Sequence, residues 1–167
     1  ENKEKFKSWL AGMEFIAVRE KAGANIVKTM IGREVPVLAD PTLLLKQEEW
    51  DVVARKPSWY KSEKYILTYF LGEMPSSANK TIEKLAAENN FRIIHLMDLN
   101  HLDWYSIAPD EFIYLIKNAS LVYTDSFHGA IFSILMQVPF VVCSRESLGK
   151  QNMDSRLDTL LELFSLE

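Results

Sequence analysis

The chain has 167 residues, of which 48% are hydrophobic and 25% charged; that is enough for a well-cored globular domain and too apolar for a disordered one. Its net charge of −4 excludes a general basic field for nucleic acid or anionic lipid, so any cationic site must be local. The one cysteine, Cys143, lies in the apolar run Pro139-Phe140-Val141-Val142-Cys143; this excludes a disulfide framework and reads as a buried thiol in a reducing compartment.

A weakly amphipathic pattern with Phe6, Trp9 and Leu10 on one side predicts a short helix over 3–11, closed by Gly12. Residues 15–18 (Phe-Ile-Ala-Val) read as a buried strand, 21–30 as a helix stopped by Gly32, and 35–38 as a second strand that Asp40-Pro41 ends. The charged stretch 46–61, which contains Pro57, reads as a linker or a surface helix. A strand over 65–71 follows, then a loop whose hydroxyls cap a helix running to Asn90, and another strand over 91–96. Pro109 opens a helix to Asn118, 121–124 is a strand, 130–136 is helical, 140–143 is the last strand, and 154–164 is a closing amphipathic helix. No stretch is long enough to span a membrane and no signal peptide is evident, although the chain opens on Glu1 rather than Met and an upstream portion is expected.

Short, largely apolar strands separated by helices describe an α/β fold with a doubly wound, mostly parallel sheet covered on both faces. The chain is expected to be a single domain over 1–167, with a candidate boundary near 46–62. Right-handed crossovers bring the carboxyl ends of all strands to one edge, so Arg19, Gly72, Asp98, the turn from Asp125 to Gly129, and Ser144-Arg145 are expected to face one crevice. In open α/β sheets that edge holds ligands, and a helix amino terminus there favours an anion.

Thr124-Asp125-Ser126-Phe127-His128-Gly129 carries the most chemistry. His128 is an acid or base candidate near neutral pH, against the plainer reading of a histidine that caps a helix or sits satisfied in the core. Ser126 is balanced between ligand and N-cap, and Gly129 between ligand contact and close packing. Arg19 either clamps an anion or pairs on the surface with Glu20 or Asp40; Arg145 and Arg156 read more readily as surface residues. His95, Asp98, His101 and Asp103 match no compact zinc spacing, so no metal site is expected there.

Together, Ala17-Val18-Arg19-Glu20, the run from Val37 to Leu44, Pro109 to Phe112 with Ile116-Lys117-Asn118-Ala119, and the motif at 124–129 followed by Phe132-Ser133 and Pro139-Phe140 resemble the polysaccharide pyruvyl transferases. The likeness covers nearly the whole chain after residue 13. Members of that family look like two-domain enzymes of the glycosyltransferase B type, and the chain looks like their carboxyl-terminal, Rossmann-like half with the amino-terminal half missing. The resemblance implies transfer of a pyruvyl group from phosphoenolpyruvate to two hydroxyls of one sugar in a polysaccharide or lipid-linked acceptor, with no other cofactor and no metal. By the same resemblance His128 is catalytic, and Ser126, Gly129, Arg19, Arg145 and, more weakly, Arg156 bind substrate. A cytoplasmic location, extending to the inner membrane face, is also implied. Ala108-Pro109 departs from the Gly-Pro more usual in the family. Two alternatives stay open: a nucleotide-sugar glycosyltransferase, with Glu146 or Glu162 as its only candidate ribose contacts, and a non-catalytic domain of the same fold.

Overall fold

The computed structural model describes residues 2–144 and 154–166, and the chain divides into two compact units, Glu1–Pro41 with Asn152–Glu167, and Thr42–Gln151. In the first unit, helix α1 (Asn2–Ala11) precedes α2 (Lys21–Ile31). Gly32 ends α2 at φ 71°, a left-handed angle that suits glycine, and its N–H donates to the Lys28 carbonyl at 2.9 Å. The two strands expected at 15–18 and 35–38 reduce to a single parallel bridge between Val18 and Val37. Their side chains explain why: Phe15 is 86% and Leu38 54% exposed, so no apolar layer rewards a longer ladder.

The second unit holds the sheet. It comprises α3 (Gln47–Val53), β1 (Tyr65–Tyr69), α4 (Ser76–Asn89), β2 (Arg92–Leu96), α5 (Leu102–Tyr105), α6 (Pro109–Lys117), β3 (Leu121–Thr124), α7 (Phe127–Leu135) and β4 (Phe140–Val142). All four strands are parallel, in the order β2-β1-β3-β4. Alternation along the strands sends Tyr65, Leu67, Ile94, Leu96 and Val122 to one face, against Ile113, Leu115 and Ile116 of α6 and Phe132 of α7. Ile66 and Tyr123 face the other way, against Ile82 and Ala86 of α4. With helices on both faces the sheet is doubly wound, as the apolar runs predict. The chain leaves β1 by α4 to reach β2, then returns past β1 through α6 to β3, so the switch point lies between β1 and β3.

The stretch 46–61 does more than link. Trp50 donates its indole N–H to the Thr42 carbonyl at 3.1 Å and meets Phe132 edge-on at 5.1 Å. Pro57 is fully buried, and Trp59 and Tyr60 flank the same core. Large aromatic side chains in a charged segment thus find apolar partners that its overall polarity conceals.

After β4 the described chain resumes with α8 (Asp154–Phe164), in the first unit. This helix buries Leu157 and Leu160 and is tied to the start of α2 by Ser155, whose hydroxyl donates to Glu20 at 2.5 Å, and by Glu162, which pairs with Lys21 at 2.5 Å. Among the described residues no helix is long and apolar enough to cross a membrane.

One pH effect follows from the sheet. His95 on β2 shares a 2.7 Å hydrogen bond with the Thr68 hydroxyl, and burial lowers its pKa against the opposing pull of Asp98. The unfolded chain therefore binds that proton more readily than the folded one. Stability from this residue is full above the ordinary histidine range and is lost as pH falls through it. Urea midpoints should decline from pH 7.5 to 5.5, and His95→Gln should flatten that decline; an equal decline in the variant would assign the effect elsewhere.

Candidate active site

The turn from β3 into α7 is built from buried polar side chains. Thr124, with no exposed surface, donates its hydroxyl to the Tyr69 carbonyl at 2.6 Å and accepts from the Ser126 N–H at 2.9 Å, tying the ends of β1 and β3 together. Asp125 is buried, and its two carboxylate oxygens accept from Leu71 N–H at 2.7 Å and Gly72 N–H at 2.8 Å. An acid whose partners lie more than fifty residues earlier thus joins the loops on either side of the switch point, where α/β sheets bind ligands.

Ser126 is the N-cap of α7 and is 3% exposed; its hydroxyl accepts from the Gly129 N–H at 3.4 Å. Gly129 is a close-approach glycine: a Cβ there would stand 2.5 Å from Thr124 Oγ1 and 3.1 Å from two further Thr124 atoms. Since that hydroxyl already holds two hydrogen bonds, it has little freedom to move. Gly129→Ala should therefore destabilise the chain by about 1–3 kcal/mol, as overpacking does. Urea unfolding checks this, and an unchanged midpoint would contradict it.

His128 stands exposed in the first turn of α7, its ring 5.5 Å from that of Phe127. It lines a cavity of about 260 Å³ at the carboxyl ends of β1 and β2, with Tyr69, Met97, Tyr105, Ile107 and Phe112 among the walls. Met97 holds a positive φ of 70° at the cavity rim, a conformation that is uncommon for a side chain of that length. The walls are mainly apolar and aromatic, while the imidazole sits where the α7 dipole presents its positive end. Ala108, the departure from Gly-Pro, lines this same cavity and so lies nearer His128 than its distance in sequence suggests.

Ser126, His128 and Gly129 therefore come together in one turn. Arg19 and Arg156 belong to the other unit. There the Arg19 guanidinium pairs with Asp40, one of the two partners the sequence offers it, and that acid is buried at 4% exposure rather than on the surface. Arg156 lies half-buried on α8, and Arg145 and Glu146 lie outside the described residues. Glu162, the other candidate ribose contact, is engaged with Lys21. In the loop after β2, Asp98 accepts from Asn100 N–H at 2.9 Å and pairs with His101 at 2.8 Å; these contacts hold its carboxyl below the usual range. Among the described residues no three acidic, histidine or cysteine side chains cluster to hold a metal. Cys143, read as buried, is half-buried; burial, and then the charge of Asp125, pushes its thiol pKa up.

The model of the polysaccharide pyruvyl transferase family matches residues 1–147 of the chain. That match lies over the amino-terminal portion of the chain: it takes in the first thirteen residues, which the resemblance did not reach, and leaves 148–167 outside it. No curated protein matches the chain. A solved structure titled "Crystal Structure Analysis of the Glycotransferase of kitacinnamycin" is 14% identical with a TM-score of 0.45, over 97% of this chain and 47% of that one. The chain spans about half the length of that structure. With the family model matching all but the last 20 residues, and with the β3–α7 turn, its histidine and the Arg19 segment all inside the match, the chain belongs to the polysaccharide pyruvyl transferase family.

Proposed function

We propose that the complete protein transfers a pyruvyl group from phosphoenolpyruvate to two hydroxyls of one sugar residue, in a polysaccharide or a lipid-linked acceptor, and releases phosphate. The observation that carries this reading is an exposed imidazole at a helix amino terminus, on the rim of an aromatic-walled cavity at the carboxyl edge of a parallel sheet. Phosphoenolpyruvate is a weak electrophile until its methylene carbon takes a proton. A positioned acid serves that step. The proton goes to the methylene carbon as the first sugar oxygen bonds to the neighbouring carbon. The second sugar oxygen then replaces phosphate on that carbon, and its proton leaves with the phosphate, which closes the ketal.

His128 supplies the first proton and recovers one from the attacking hydroxyl. Tyr69, Tyr105 and Phe112 exclude water and offer flat apolar surface to the carbon face of a sugar ring. Ser126 and Gly129 contribute through the turn they shape, which sets where His128 stands. Arg19 is proposed as a donor-binding cation, with Arg145 and Arg156 as further candidates, because guanidinium groups pair bidentately with carboxylate and phosphate. Arg19→Ala should raise KM for phosphoenolpyruvate more than it lowers kcat, since a group holding ground and transition states alike acts on binding. The converse split in steady-state kinetics would contradict that role. The reading as a whole is tested by following phosphate release from phosphoenolpyruvate with and without acceptor; release that does not depend on acceptor would count against it.

A further inference from the structure

A second cleft, of about 450 Å³, opens on the sheet face opposite the His128 cavity, between the first turns of α4 and the ends of β3 and β4. Ser77, Thr81, Tyr123, Val141, Cys143 and Ser144 line it. Tyr123 is 6% exposed, and its hydroxyl has no hydrogen-bond partner among the described residues. Buried tyrosines normally give that proton to an acceptor, as Tyr65 does on the other face, to the Leu115 carbonyl at 2.6 Å. The Tyr123 hydroxyl is not sealed in the core either; it comes out in the cleft. Beside it α4 begins without a side-chain cap, so the first amides of a fourteen-residue helix add unclaimed donors.

The charge of the cleft selects among ligands. Among the described residues no lysine, arginine or histidine lines it, and the carboxylate of Asp125 is close enough to act on Cys143. From these residues an anion would meet donors but no countercharge. Hydroxyls both donate and accept, which suits a neutral ligand rich in oxygen.

We propose that this cleft is a carbohydrate subsite that holds neutral pyranose units through Tyr123, Ser77 and the start of α4. That the sugar belongs to the acceptor, at a distance from the residue being modified, rests on the transferase reading above. The binding itself does not. The test is to titrate the 167-residue chain with cellobiose, lactose and chitobiose, and separately with inorganic phosphate, while following backbone amide shifts by NMR. At least one disaccharide should give saturable shifts at Ser77, Tyr123 and Cys143. Tyr123→Phe, which breaks no internal hydrogen bond, should keep the wild-type urea midpoint and weaken that sugar about tenfold, the loss of one hydrogen bond. Three outcomes would overturn the proposal: no shifts with any disaccharide, saturation by phosphate instead, or undiminished sugar binding by Tyr123→Phe. Sugar binding that persists in a protein without pyruvyl transfer would leave the subsite standing and remove only its assignment to the acceptor.

Discussion

Replacing His128 with alanine should lower turnover of the complete enzyme by about 10²–10⁴-fold, the usual contribution of a positioned general acid, and leave the fold intact. The residue is exposed on the first turn of α7, so truncation opens no cavity, and surface changes of that kind usually stay within about 0.5 kcal/mol. The turn itself is held by hydrogen bonds between the side chains of Thr124, Asp125 and Ser126 and backbone groups of Tyr69, Gly72 and Gly129. Circular dichroism and a urea midpoint establish folding, and acceptor-dependent phosphate release reads turnover. A folded variant with unchanged turnover would leave His128 as an exposed residue at a helix start.

Loss of the Asp125 carboxylate should have the largest effect on stability. Asp125→Ala removes the acceptor for the Leu71 and Gly72 amides at a site where water cannot fully replace it. Hydrogen bonds to a charged group contribute about 1.5–3 kcal/mol, and unsatisfied donors add their own penalty, so a loss of about 3 kcal/mol is expected. Asp125→Asn keeps the shape but turns an amide N–H₂ toward one of the two donors, and should recover only part of it. Urea unfolding of both variants decides the matter. A midpoint in Asp125→Ala equal to that of the wild type would mean that the two loops are held together by something other than this carboxylate.

Much of the second unit could be read from the chain because its strands are continuous apolar runs. Tyr65-Ile66-Leu67 is buried on both faces of the sheet, and such runs leave little choice but a covered parallel strand. Ser126 was legible as a cap for a similar reason: hydroxyls before a helical segment have a local partner three residues on. The failures share one cause. At 15–18 and 35–38 the local pattern is as apolar as in the true strands, but strand formation depends on what covers the side chains, and Phe15 has no cover in its unit.

Asp125 and Asp40 look alike in sequence, each an acid after an apolar run. The sequence offers Arg19 as a partner for Asp40, and the fold bears that pairing out; only the fold shows that Asp125 receives two amides from the β1 loop. Gly129 is ambiguous in sequence, and the fold resolves it by setting Thr124 against it. Ala108 could be set apart from the site in sequence, yet it reaches His128 through the loop before α6.

Pyruvyl transfer with His128 as proton donor is tested most directly by running the reaction of the complete protein in deuterated water with phosphoenolpyruvate and acceptor, and examining the acceptor by NMR and mass spectrometry. A ketal-linked pyruvyl group whose methyl carries one solvent-derived deuterium, formed by the wild type and lost in folded His128→Ala, is the predicted result. An acceptor that gains an unsaturated enolpyruvyl ether, or that gains a sugar from a nucleotide-sugar donor in place of pyruvate, would contradict it.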